Sequence, residues 1–156
     1  MQLPPNAQLI APLDDLAYLD SQSATLPAPI TAIEAWRLVM ARPLPGLAWA
    51  FWLRDAISAR FGVARIGGFS GKAVGVPQVG DHLDFFLVEH ISDSVLSLTA
   101  RDRHLDVMTC VTVDDATLGI TASVVTHNAF GRAYMIPVAP AHRLIVWAML
   151  RRLRRG

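Results

Sequence analysis

The last thirty residues constrain the fold of this 156-residue chain most. They run from Thr126-His127-Asn128 through Gly131-Arg132 and Tyr134 to Pro140-Ala141-His142-Arg143, and then into an apolar stretch that ends in arginines. A strand that turns at a glycine and passes into an amphipathic helix closes a sheet against that helix. Pro140 suits the first turn of such a helix, where its missing amide has no partner to lose. The pattern predicts a short strand over residues 131–137 and a helix from Pro140 onward.

Upstream, residues 83–127 alternate apolar and polar side chains between compact polar turns. That period-two pattern predicts an antiparallel meander. Strands are expected at 83–91, 94–101, 104–113 and 117–127, preceded by one at 64–70. Ser92-Asp93 and Asp114-Asp115-Ala116 supply the turns, and Gly67-Gly68 with Gly71 mark a bulge or bend. Before the sheet, Thr31 and Glu34 form a capping box that starts a helix ending near Arg42, ahead of Pro43 and Pro45. A second helix is expected over 47–61, stopped by Gly62, with Trp49, Trp52, Leu53, Ala56 and Ile57 on its inner stripe. Residues 1–29 carry prolines at 4, 5, 12, 27 and 29, and read as an extended lead-in with one strand near 16–26. Residues 30–156 complete the same single domain.

The fold class expected is α+β: a curved antiparallel sheet wrapped around a C-terminal helix, with two short helices near the N-terminus. This order looks like the helix-grip fold of START and polyketide-cyclase-like proteins. A closer resemblance is carried by Gly80-Asp81, Asp84-Phe85-Phe86, residues 102–106 (Asp-Arg-His-Leu-Asp), His127-Asn128, Gly131-Arg132, Tyr134, Pro140 and His142-Arg143. Over residues 30–153 these blocks resemble an uncharacterised bacterial family of unknown function, whose members occur alone or behind a short-chain dehydrogenase-like domain. The resemblance implies a fold and no activity. Where relatives carry a Tyr-Trp pair, this chain has Tyr134-Met135.

Composition bounds the function. Hydrophobic residues make up 53% and charged residues 17%, which excludes disorder and asks for a home for the excess apolar surface. A lined cavity, a subunit interface or a membrane-facing patch would each supply one. A net charge of +1 gives no general nucleic-acid footprint. A single cysteine, Cys110, excludes an internal disulfide and a cysteine-based zinc site. It falls mid-strand and reads as a buried, inert thiol. The start of the chain lacks signal-peptide character, and residues 144–150 are too short an apolar run to span a bilayer, so a cytoplasmic home without a membrane span is expected.

Two sets of polar residues carry candidate chemistry. If the hairpin after Val113 turns on Asp115-Ala116, His104 lies opposite His127, with Asp106 on the same face. A carboxylate beside two imidazoles suits proton transfer, so His104, His127 and Asp106 are candidate catalytic groups of a cyclase, isomerase or hydratase. The second set is Tyr134, His142, Arg132 and Asn128, placed to fix the polar end of a small apolar ligand at the mouth of the cavity. Arg132 and Arg143 suit either holding a carboxylate or pairing at the surface with Asp81, Asp84 or Glu34. Gly67-Gly68-Phe69-Ser70-Gly71 resembles neither a nucleophile elbow nor a phosphate loop. No metal and no cofactor are called for. Ligand binding leads this reading, ahead of the enzyme and of a homodimeric interaction or regulatory domain. The basic C-terminus complements the helix dipole, and would also make weak contact with an anionic membrane surface.

Overall fold

In the computed structural model, residues 1–41, 55, 75–83 and 86–155 are described. Their order is β1 (Tyr18–Thr25), α1 (Ala32–Ala41), β2 (His82–Leu83), β3 (Phe86–Ile91), β4 (Val95–Arg101), β5 (Leu105–Asp114), β6 (Thr117–Thr126) and α2 (Ala129–Arg154). The six strands form one antiparallel sheet in the order β1-β6-β5-β4-β3-β2. It is the α+β helix-grip architecture: a curved sheet, a short helix near the N-terminus and a long C-terminal helix. Of the expected helix at 47–61 only Asp55, which is helical, is described, and the expected strand at 64–70, with the glycines at 67, 68 and 71, lies outside the described residues.

Turn chemistry sets the register. The β5–β6 hairpin closes with Asp114 opposite Thr117, so its loop is Asp115-Ala116, and Asp115 takes the left-handed region at φ 52. Aspartate tolerates that region better than most residues. At the other end of β5, the Asp102 carboxylate accepts from the amides of His104 (2.7 Å) and Leu105 (3.0 Å), an Asx-type turn that reverses the chain. Before β4, Ser92 Oγ accepts from Val95 N at 3.1 Å. The α1 capping box forms as its sequence requires: Thr31 N donates to Glu34 Oε2 (2.8 Å), and Glu34 N donates to Thr31 Oγ1 (3.3 Å).

Alternation then divides the sheet. Toward the helices point Ala24, Phe86, Val88, Leu96, Leu98, Val111, Val113, Leu118 and Ile120, packed against Ile33, Trp36 and Val39 of α1 and Val146, Met149, Leu150 and Leu153 of α2. Trp36 meets Phe86 edge-on, with centroids 5.9 Å apart. A second cluster joins Tyr18, Ala122 and Val124 to Met135, near the start of α2. Met135 therefore fills core space at the position where the resemblance expects tryptophan.

Two expectations fail. The strand expected at 83–91 runs only from Phe86, because Leu83 belongs to β2, which pairs antiparallel with β3 through Leu83 opposite Phe86. Residues 131–137 are not a strand, and α2 does not begin at Pro140; it begins at Ala129 and includes both Pro137 and Pro140. Asn128 caps it, its side chain accepting from Gly131 N at 2.9 Å. Each proline removes an amide that would bond to the carbonyl four residues earlier. Those carbonyls belong to Ala133 and Ile136, both on the exposed side of α2, where water can satisfy them. Burial of Met135 on the other side holds the helix to the sheet through the interruption.

Candidate ligand site

The first turn of α2 meets the start of β5 at very close range. A Cβ at Gly131 would stand 2.3 Å from the His104 carbonyl oxygen, so only glycine permits this approach. The contact sets Asn128 beside His104. With Asn128 Oδ1 occupied by Gly131 N, its amide group donates to His104 Nδ1 at 2.9 Å and to Arg103 O at 3.3 Å. Phe130 packs on the buried His104 ring (4.5 Å between centroids), and Tyr134 stacks on Phe130 at 6.3 Å. His104, Asn128, Phe130 and Tyr134 thus form one continuous group at this end of the sheet.

His142 does not join it. Its Nδ1 lies 3.3 Å from the Tyr18 hydroxyl, and the two rings meet edge-on at 5.9 Å. Arg143 lies over the Tyr18 ring at 5.3 Å and pairs with Asp20 at 3.6 Å, not with Asp81 or Glu34, while Asp84 lies outside the described residues. Gln22 closes the group by donating to Asp20 Oδ2 (2.8 Å) and to the Arg143 carbonyl (3.0 Å). Burial and the Asp20 charge push the Tyr18 phenol up to about 12, and burial holds the His142 imidazole below its ordinary value. Both are neutral at physiological pH, so the pair can hydrogen-bond a neutral polar group without a charge. Tyr18 was not among the residues singled out from the sequence. The signal was there, because strand alternation over 16–26 puts it on the same face as the inward residues of β6.

The register that sets His104 opposite His127 is the one formed: Leu105 faces Thr126, and His127 N donates to His104 O at 2.8 Å. The side chains nevertheless part. His104 sits past the end of β5 and turns to Asn128, whereas His127 Nε2 lies 3.1 Å from Asp106 Oδ1. Asp106 also lies 3.8 Å from Arg101, which in turn pairs with Glu89. These four charged or titratable groups occupy the sheet face opposite the helices. Arg132 is exposed on the first turn of α2. Among the described residues no three His, Cys, Asp or Glu side chains converge as metal ligands.

Between the two clusters lies Val107. It packs against both of them and is half-buried, as are its cross-strand partner Ala100, which packs against the first cluster, and Leu105, Tyr134 and Val138, which pack against the second.

The antiparallel sheet, the short helix and the long closing helix define a helix-grip protein. The chain belongs to the family described as "Protein of unknown function (DUF2867)", whose model matches residues 12–149. No curated protein and no solved structure matches the chain.

Proposed function

We propose that this protein binds a small apolar ligand between the inner face of its sheet and the C-terminal helix. Val107 carries the reading: it touches both packed clusters, and its exposed part marks where an apolar guest would complete the seal. Leu105, Ala100, Val138 and Ile145 would line the guest's body. Tyr134, with the Asn128–His104 pair behind Phe130, supplies polar groups at one end. The Tyr18–His142 pair supplies neutral ones at the edge. Arg132, on the outside of the same first turn, would meet an acidic group at the mouth.

Native mass spectrometry of the gently purified chain tests this. A retained apolar molecule is expected, and Val107→Trp, which would fill the proposed space, should displace it while leaving the fold intact by circular dichroism. A chain that retains nothing, or a ligand indifferent to Val107→Trp, overturns the proposal.

A further inference from the structure

The outward side of α2 makes a second surface. Down it run Ile136, Pro140, Leu144, Trp147 and Arg151, spaced four, four, three and four residues apart and so aligned in one stripe. Ile136 is 76% exposed, Leu144 63% and Trp147 48%. Such large side chains seldom stand in a continuous line on a surface that faces only water. Arginines flank the stripe at 132, 143, 151, 152, 154 and 155, and no acidic side chain follows Asp115 in the sequence. The last turns also border a groove of about 420 Å³ between β1 and α2, lined by Gln22, Ser23, Trp147, Arg151, Arg154 and Arg155, with Leu150 at its floor. In it, Arg151 lies over the Trp147 ring at 5.0 Å, and Arg154 is held by the Ser23 carbonyl at 2.7 Å.

We propose that this side of α2 docks on an anionic phospholipid surface, with Ile136, Leu144 and Trp147 entering the headgroup boundary and the groove of Arg151, Arg154 and Arg155 holding lipid phosphate. An apolar stripe set between arginines, with an indole at the boundary, matches the chemistry of a bilayer interface. By length and composition alone, the 26-residue α2 could cross a membrane. Its opposite side, however, is committed to the sheet through Met135, Val146, Met149, Leu150 and Leu153. A helix bound to a sheet on one side lies in the interface plane. A nucleic acid would answer the arginines but leave the apolar stripe unused, and a second copy of this face would bring arginines to arginines with no carboxylate between them.

The test is sedimentation of the full chain with vesicles of phosphatidylcholine alone, or with about one-third phosphatidylglycerol, at low and high salt. The anionic vesicles should be strongly preferred, and the preference should shrink in high salt. Neutralising one arginine, as in Arg151→Gln or Arg155→Gln, should lower partitioning by about fivefold, and two together by roughly twenty-five-fold. Leu144→Ser should weaken binding even at low salt. Equal binding to both vesicles, no binding to either, no loss in the variants, or a preference for duplex DNA over the vesicles overturns the proposal. All these side chains are exposed, so each variant should unfold at the parent temperature. Ligand retention in the interior space should be untouched, which separates this proposal from the one above.

Discussion

Over the middle of the sheet both faces are well buried, yet one is mostly apolar and the other rich in hydroxyls. Toward the helices, neighbouring strands bring Leu118, Val113, Val111, Leu96 and Leu98 together. On the other face the same strands bring Ser21, Ser97, Cys110, Thr112, Thr121 and Ser123, and all but Ser21 are buried as deeply as the leucines. What covers them differs too. The apolar face receives two helices. The polar face receives residues 1–10, a non-helical segment with a turn at Pro4–Ala7, whose backbone and side-chain groups meet two hydroxyls and a thiol: Ser97 donates to Gln8 Oε1 (2.6 Å), Gln8 N donates to Cys110 Sγ (3.3 Å), and Ile10 N donates to Ser123 Oγ (3.0 Å). A helix has satisfied its own backbone and can offer only side chains, so it suits an apolar face. A non-helical segment has amides and carbonyls to satisfy, so it suits a face of hydroxyls. The pairing is complete: no buried side-chain nitrogen or oxygen among the described residues lacks a partner.

Adjacent residues of β4 put this contrast under the sharpest test. Leu98 and Ser97 are both fully buried, on opposite faces. Leu98→Ala deletes packing against both neighbouring strands and leaves a cavity, with an expected loss of about 2–5 kcal/mol. Ser97→Ala removes a hydroxyl that bonds Gln8 but leaves Gln8 near enough to solvent to find water, with an expected loss of about 1 kcal/mol. Urea titration of both variants measures the difference. Equal losses would mean that the polar face is packed as tightly as the apolar one.

Legibility in the sequence follows the same division. The strands of the meander, the α1 capping box and the β5–β6 register could be read because each rests on local chemistry: alternation, a Thr-x-x-Glu pair, a two-residue turn. The start of α2 could not be read from Pro140, because a helix that passes two prolines depends on what holds it from the side, here Met135 against Tyr18 and Val124. Asn128 carried the missed signal, being a strong capping residue directly before Ala129. Among the site residues, the opposition of His104 and His127 was legible and its consequence was not. His104 lies one residue beyond the ladder, where alternation no longer dictates the side-chain direction, so it turned to Asn128 and left His127 to Asp106. The role of residues 1–10 was illegible for a related reason: proline-rich chain without period shows no preference until a row of hydroxyls gives its backbone somewhere to bond.

Acid should separate the two faces as well. The half-buried His142 bonds Tyr18 on the helix-covered face and is held below its ordinary value, mainly by burial. The unfolded chain therefore binds the proton more readily than the folded one, and stability falls as pH drops from about 6.5 toward the depressed value. Above that window the contribution is fully present. His142→Phe removes the titration and should flatten the decline, whereas His127→Phe, on the opposite face, should leave the His142 component of the slope in place. Thermal unfolding across the window reads both; a decline unchanged in His142→Phe would move its origin to another group.

The smallest effect on stability should come from disturbing the lead-in where it crosses β6. A Cβ at Gly119 would stand 2.6 Å from Thr112 Oγ1 and 2.9 Å from Pro4 Cγ, so the Thr112 hydroxyl must turn and the covering segment at Pro4 must move outward. Gly119→Ala should cost less than about 1 kcal/mol, part of it returned by the strand preference of alanine over glycine. What it should change is access. Cys110 is fully buried on the polar face, its thiol pushed up by burial, and Gln8 lies directly on its sulfur. In the parent protein a thiol reagent should reach it only as fast as the covering segment lifts. Displacing Pro4 loosens that segment four residues from Gln8, so Gly119→Ala should speed labelling of Cys110 well beyond what its change in global stability explains. Val113→Ala, which weakens the same sheet from the helix side, should speed labelling only in proportion to global unfolding. Labelling that tracks stability identically in both variants would mean that the lead-in and the core open as one unit, and that the two faces differ in chemistry but not in how firmly they are closed.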